Sequence, residues 1–405
     1  RSRGLGDVYK RQEQIRRGEV PERYVKTVLG LAPANWKRYT FGDIYTERKE
    51  PGDENLPLLM VSIHSGVSDG EVDAAELPKQ VKRIEDKSQY KKAVSGDLVF
   101  NMMRAWQGAI GTVRTTGMVS PAYIVAEPND KAYPLFMDYY SRTPQMINQI
   151  DRQSYGVTDF RKRLYWDSFA PISCTLPPIE EQQKIAAILT TQDRVIELKG
   201  KRLAEKQRQK KYLMQQLLTG KKRLPGFAFE VEKTNIKAIS TYSVSTISQT
   251  MLESYEGKQL YPVFNANSIA GHVDFYENEC PYISIIKDGA GIGRVRLCEA
   301  KSSTIGTMGC IHARKGISII FLYYLLEQVD FNKYSNGSTI PHLYYKDYSC
   351  EKVRIPDIKE QAAIAEVLST ADREIELLQQ DIEQEKQKKK ALMQLLLTGI
   401  VRVKT

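Results

Sequence analysis

This 405-residue chain has little with which to build a covalent or metal-based framework. Its five cysteines (Cys174, Cys280, Cys298, Cys310 and Cys350) contain no Cys-x-x-Cys pair and its four histidines are scattered, so neither disulfide staples nor a zinc site has support. A reducing, cytoplasmic setting suits that usage. No run of about 18 apolar residues occurs, and the basic residues Arg1, Arg3, Lys10 and Arg11 lead into no apolar stretch of a secretory leader. No membrane partner is therefore expected. Charged residues make up 27% and apolar residues 41%, with a mean hydropathy of −0.43, which fits globular rather than disordered chain. At 46.2 kDa the chain exceeds what one hydrophobic core accommodates, so at least two domains follow.

The formal charge of +10 suggests a polyanionic partner, but its distribution matters more than its sum. Residues 25–175 hold 19 basic and 18 acidic side chains, and residues 224–353 hold 12 and 13. Both blocks are near neutral, so any nucleic acid they bind must meet local patches.

Self-comparison organises the rest. The run P-P-I-E-E-Q-Q-K-I-A-A-I-L from Pro177 recurs as P-D-I-K-E-Q-A-A-I-A-E-V-L from Pro356, and L-M-Q-Q-L-L-T-G ending at Gly220 recurs as L-M-Q-L-L-L-T-G ending at Gly399. The offset is 179 without gaps, with 22 identities in 44 positions. Each copy reads as a long helix stopped by glycine. Steps of seven give Leu189, Ile196, Leu203, Lys210, Leu217 and Leu368, Ile375, Ile382, Lys389, Leu396, the 3.5-residue period of a coiled-coil seam. The lone exception is lysine at the same step in both, read as a register-setting polar layer or a frayed end. Thr190 and Ser369 each stand three residues before an aspartate, which predicts a cap and a short leading helix breaking there, leaving about 27 residues, roughly 40 Å, of long helix.

The expected division is an N-terminal extension (1–23), a first block (24–175), helical spacer 1 (176–220), a second block (221–353) and helical spacer 2 (354–403). Within the blocks, β-rich runs at 97–100, 119–126, 282–287 and 294–298 alternate with glycine-rich turns and precede helices at 135–150 and 319–329. The fold class is therefore α/β. The blocks share faint signals: Gly108-Ala-Ile-Gly-Thr-Val113 against Ala290-Gly-Ile-Gly-Arg-Val295, and Gly156, Thr158, Leu164-Tyr165-Trp166 against Gly337, Thr339, Leu343-Tyr344-Tyr345.

With these residues in view, the chain resembles the specificity (S) subunit of type I restriction-modification systems across residues 24–403. The motifs that carry the resemblance are Pro177-Pro178-Ile179-Glu180-Glu181-Gln182 with Leu217-Leu218-Thr219-Gly220, their second copies, the connector Arg223-Leu224-Pro225-Gly226-Phe227, and Arg104-Ala105-Trp106-Gln107-Gly108. The resemblance implies two α/β DNA target-recognition domains separated by two long helices that form an antiparallel coiled coil with pseudo-twofold symmetry. It further implies a non-catalytic subunit that reads double-stranded DNA and holds two methyltransferase (M) subunits, and through them restriction (R) subunits. S-adenosylmethionine, ATP and Mg would then belong to the partners, with no cofactor in this chain.

Candidate DNA contacts follow from side-chain chemistry. Arg104, Trp106 and Gln107 offer a bidentate guanidinium, an indole and an amide suited to base edges, the plain alternative being a core tryptophan beside a surface arginine. Thr158, Arg161, Lys162 and Arg163 suit phosphate contacts, or else form a solvated basic turn. Lys287, Arg294, Arg296, Ser338, Thr339, His342 and Lys346 are their counterparts in the second block, His342 equally readable as an ordinary hydrogen-bonding residue. Gly289-Ala290-Gly291-Ile292-Gly293 departs from a dinucleotide fingerprint in spacing and is followed by strand-like Val295-Arg296-Leu297-Cys298. Ser120-Pro121-Ala122-Tyr123 lacks the second proline of an amino-methyltransferase motif, and no Walker-type loop occurs. Repeated helices beside dissimilar blocks point to a ruler between two different half-sites. A coiled-coil protein scaffold without DNA specificity, or the specificity half of a split or fused restriction enzyme, are the alternatives.

Overall fold

The computed structural model describes residues 9–15, 17–27, 30–53, 55–63, 66–68, 89–158, 161–227, 231–289, 291–337 and 340–403. The chain divides into two compact units: residues 1–198 with 383–405, and residues 199–382. Each long helix, Ile179–Leu217 and Ile358–Leu396, contributes a segment to each unit.

Unit 1 is built on a four-stranded antiparallel sheet in the order Tyr45–Glu47, Tyr123–Pro128, Leu98–Asn101, Ile110–Thr112. Alternation along the central strand sends Leu98 and Phe100 into the main core and Val99 into a second cluster with Val119 and Val125. Unit 2 repeats the arrangement with Ser240–Val244, Met308–Ala313, Tyr282–Ile286 and Val295–Cys298. There Ile283 and Ile285 face the main core while Tyr282 packs with Cys298 and Cys310 on the other side. Two blocks of unlike sequence thus share one topology, because buried alternation rather than residue identity sets the pairing.

In each unit a two-stranded ladder ties the start of the block to its end, Lys37–Thr40 with Ser173–Leu176 and Glu232–Asn235 with Lys352–Ile355. The long helix leaves directly from the second strand of that ladder. Thr40 and Asn235 cap the one-turn helices that follow the first strand. The strand predicted at 119–126 is interrupted, with strands Gly117–Val119 and Tyr123–Pro128 on either side of Pro121. The helix predicted at 135–150 is likewise two, Pro134–Tyr140 and Pro144–Arg152, parted where Thr143 caps a new helix opened by Pro144.

The long helices run unbroken for 39 residues each, about 58 Å at 1.5 Å per residue. The expected leading-helix break is therefore absent. Thr190 and Ser369 cap nothing, and their hydroxyls instead meet those of Tyr139 (3.4 Å) and Tyr324 (3.2 Å). In unit 1, Ile185, Ala186 and Leu189 from the start of the first helix share a core with Leu396 and Leu397 from the end of the second. In unit 2, Ile364, Ala365 and Leu368 do the same with Leu217 and Leu218. The halves are antiparallel in both: Gln192 bonds Glu385 and Asp193 bonds Lys389 in unit 1, while Lys199 meets Asp381 and Lys206 meets Glu374 in unit 2. None of the ten seam positions is exposed, which is the antiparallel coiled coil that the seven-residue period implies.

The repeated motifs have structural work in each unit. Gln182 and Gln361 are buried and use both ends of their amides on backbone groups: each donates to the carbonyl of the proline before its helix, at 2.9 Å, and accepts from a block N–H, Tyr133 at 2.8 Å or Ser318 at 2.9 Å. Buried Glu181 receives Arg402 in a two-point pair at 2.6 Å, and buried Glu360 receives Arg223 in the same way, with Nε at 2.7 Å. Both helices close on a left-handed glycine, Gly220 (φ +68°) and Gly399 (φ +71°). The Tyr24 hydroxyl donates to the Gly399 carbonyl at 2.6 Å and Arg11 to that of Ile400 at 2.5 Å, so residues of the N-terminal extension and its border cap the second helix. Among the described residues no helix is long and apolar enough to cross a membrane.

Candidate nucleic-acid interface

The expected contact residues of unit 1 lie on two neighbouring loops. The first follows central strand Leu98–Asn101: Arg104 precedes a single 3-10 turn, Ala105–Gln107, and Gly108 closes it at φ +104°. Arg104 and Gln107 are exposed, whereas Trp106 rests half-buried on the core with its indole N–H donating to the Met103 carbonyl at 3.0 Å. The second loop is a hairpin in which Tyr155 and Arg163 pair. Gly156 is required there, since a Cβ would fall 2.5 Å from the Arg161 carbonyl carbon and the Lys162 nitrogen. Thr158 and Arg161 are exposed. Lys162 crosses to the first loop: its ammonium sits 5.0 Å from the centre of the Trp106 ring and 2.8 Å from Asp151. Arg163 bonds the Lys162 carbonyl at 2.9 Å. The Leu164 N–H then ties the hairpin to the first loop through the Met102 carbonyl, at 2.9 Å.

Unit 2 builds the same junction from other residues. The loop after strand Tyr282–Ile286 carries Lys287, and the hairpin pairing Ser335 and Asn336 with Leu343 and His342 stands beside it. The Leu343 N–H donates to the Lys287 carbonyl at 2.8 Å, the counterpart of the Leu164–Met102 bond. Gly337 turns this hairpin at φ +98°, where a Cβ would also press the Ile340 carbonyl. His342 Nδ1–H donates to Asp288 at 2.8 Å and Lys287 bonds the same carboxylate at 3.0 Å. Burial alone would raise the pKa of Asp288, but the bonds from His342 and Lys287 outweigh it and hold the carboxyl below its ordinary value. Arg294 is exposed at the far end of the loop. Arg296 is turned aside, donating to the Asn267 carbonyl at 2.7 Å with its guanidinium over Phe264, and Lys346 stands exposed on the following helix over Tyr344. Ser338 and Thr339 lie outside the described residues.

The structure thus brings Arg104, Trp106 and Gln107 together with Thr158, Arg161, Lys162 and Arg163, and Lys287 together with His342, while Arg296 is drawn away to Asn267 and Lys346 lies over Tyr344. Charge-led reading missed the exposed apolar side chains on the same loops: Tyr155, Val157 and Tyr165 in unit 1, and Ile340 and Tyr344 in unit 2. The aligned Leu-Tyr-aromatic signal could have found Tyr165 and Tyr344. Among the described residues no cluster of His, Cys, Asp and Glu is arranged to hold a metal ion.

Known proteins match this chain along nearly all of its length. The type I restriction enzyme MjaVIII specificity subunit of Methanocaldococcus jannaschii is 24% identical over 444 residues, spanning 95% of this chain and 97% of its own. The solved S subunit of a type I restriction-modification system from M. genitalium superposes with a TM-score of 0.59 at 14% identity, covering 92% of this chain and 97% of that one. A second solved structure, from work on assembly and conformational transition of a type I R-M system, gives 0.54 at 17% identity over 91% and 99%. The family model for the type I restriction modification DNA specificity domain matches twice, at residues 74–207 and 229–387. Two matched segments, each running from a recognition block into its long helix, show that the chain belongs to the type I restriction-modification specificity subunits.

Proposed function

We propose that this chain reads a two-part, asymmetric DNA target, one half-site per unit, and that its helices fix the spacing between the halves. The observation that carries the reading is the repeated loop junction, Leu164–Met102 in one unit and Leu343–Lys287 in the other, which sets polar and basic side chains on loops at one end of an interior strand although the two blocks share almost no sequence. Arg104 and Gln107 are the base-edge readers of unit 1, suited to guanine and adenine respectively. Trp106 and Lys162 brace the loop beneath them. Thr158, Arg161 and Arg163 meet phosphates. In unit 2, Lys287, Arg294 and His342 form the reading face, with Lys346 toward the phosphates. Unlike residues on a like scaffold imply unlike half-sites.

The chain itself catalyses nothing on this reading: methyl transfer from S-adenosylmethionine, and ATP- and Mg-dependent cleavage, come from two methyltransferase subunits and the restriction subunits they recruit. Its near-neutral blocks give modest DNA affinity alone and more within that complex. The test is a block exchange. Residues 224–353 are replaced by the corresponding block of another such subunit, the chain is expressed with its methyltransferase partner, and the host methylome is sequenced. One half of the methylated motif changes and the other stays; a change in both halves refutes the division of labour.

A further inference from the structure

The two lysines that interrupt the seam are each the centre of a lock built on a lysine, an aspartate and a tyrosine. In unit 1, Lys389 bonds Asp193 at 2.5 Å and lies 5.3 Å from the centre of the Tyr139 ring, while the Tyr139 hydroxyl donates to the same aspartate at 2.7 Å. In unit 2, Lys210 bonds Asp372 at 2.7 Å and lies 5.3 Å from the Tyr324 ring centre, the Tyr324 hydroxyl donates to Asp372 at 2.7 Å, and Lys210 also reaches Glu327, one turn further along the helix of Tyr324, at 3.2 Å. Each lock joins three separate elements: one long helix, the other long helix, and the helix that backs the recognition sheet. Burial, with the aspartate beside it, raises the pKa of both tyrosines, so their hydroxyls stay protonated donors. Sliding a block along its helices by one turn would strip the aspartate of its hydroxyl partner and uncover the lysine. Apolar packing of leucines alone tolerates such slippage far better than directional bonds to a charge.

We propose that Tyr139 and Tyr324, acting through Asp193 and Asp372, are positioning residues that seat each recognition block on the helical pair and thereby set selectivity for the length of the unread spacer. The inference rests on the two-half-site reading above. It is tested with Tyr139→Phe, Tyr324→Phe and the double variant, each assembled as the full chain with its methyltransferase subunits. Phenylalanine keeps the ring and the lysine–aspartate pair, so the seam survives, and Lys389→Met removes the ammonium as a second probe. Methylation rates are measured on duplexes whose spacer is native or one base pair longer or shorter. The half-site bases should stay the same, while the preference for the native spacer falls about tenfold, as expected for one lost hydrogen bond to a charged group. An unchanged spacer preference, or a loss of rate equal at all three lengths, overturns the proposal. If the unmodified complex methylates no two-part site, the two-half-site reading itself fails, a result visible before any variant is compared.

Discussion

Lengthening both long helices at points that face each other separates a ruler from a mere scaffold. Gly200 lies beside the Lys199–Asp381 pair on one helix and Gln379 just before Asp381 on the other, so insertions after these two residues lie opposite and leave every cross-helix pair intact. Copies of residues 194–200 and 373–379 supply the inserts. One heptad in each helix adds roughly 10 Å, or about three base pairs, which turns one half-site about 100° around the duplex. The blocks then face different sides of the DNA, and methylation should be lost while the melting temperature holds. Three heptads add roughly 32 Å, about nine base pairs and close to the ~10.5 of a full turn, so both blocks regain one face. Methylation should return on sites with unchanged halves and a spacer longer by about nine. The assay is methylome sequencing of hosts expressing each variant with its methyltransferase partner. If either variant still methylates the original spacing, the helices do not set the distance.

Other outcomes follow from single contacts. Arg161→Ala should weaken DNA binding across sequences and lower the salt slope by about 1, whereas Arg104→Ala should relax one base position by about 1–3 kcal/mol, both measurable by titration against point-substituted duplexes. Arg402→Ala leaves the buried Glu181 carboxylate unpaired and should cost about 3 kcal/mol by chemical denaturation, with Arg223→Ala exposing Glu360 to a similar loss; removing both partners of either pair should cost less than removing the arginine alone. Because the pKa of Asp288 is depressed in the folded chain, its contribution is present above the unfolded value and is lost as pH falls through the folded one. Asp288→Asn should therefore flatten the acid limb of the stability profile, and an unaltered limb would refute the pairing with Lys287 and His342.

What the sequence by itself determined is the periodic part of the molecule. The 179-residue repeat, the seven-residue seam and the glycine stops announce two helices and their pairing, because helix periodicity and termination are local properties written within a few residues. The α/β character of the blocks was legible for the same reason, in alternating runs such as those around Phe100 and Ile283. Tertiary structure decided the remainder. Thr190 reads as a cap and Lys389 as a polar layer or frayed end of the seam until Tyr139, far away in the chain, brings its ring to the lysine and its hydroxyl to Thr190 and Asp193. Trp106 reads as a stacking residue until Lys162 closes over its face, and Arg296 as a free cation until the Asn267 carbonyl takes it. In each case the deciding partner is remote in sequence, and a side chain's role is set by which groups desolvate and bond it, a fact that only folding supplies.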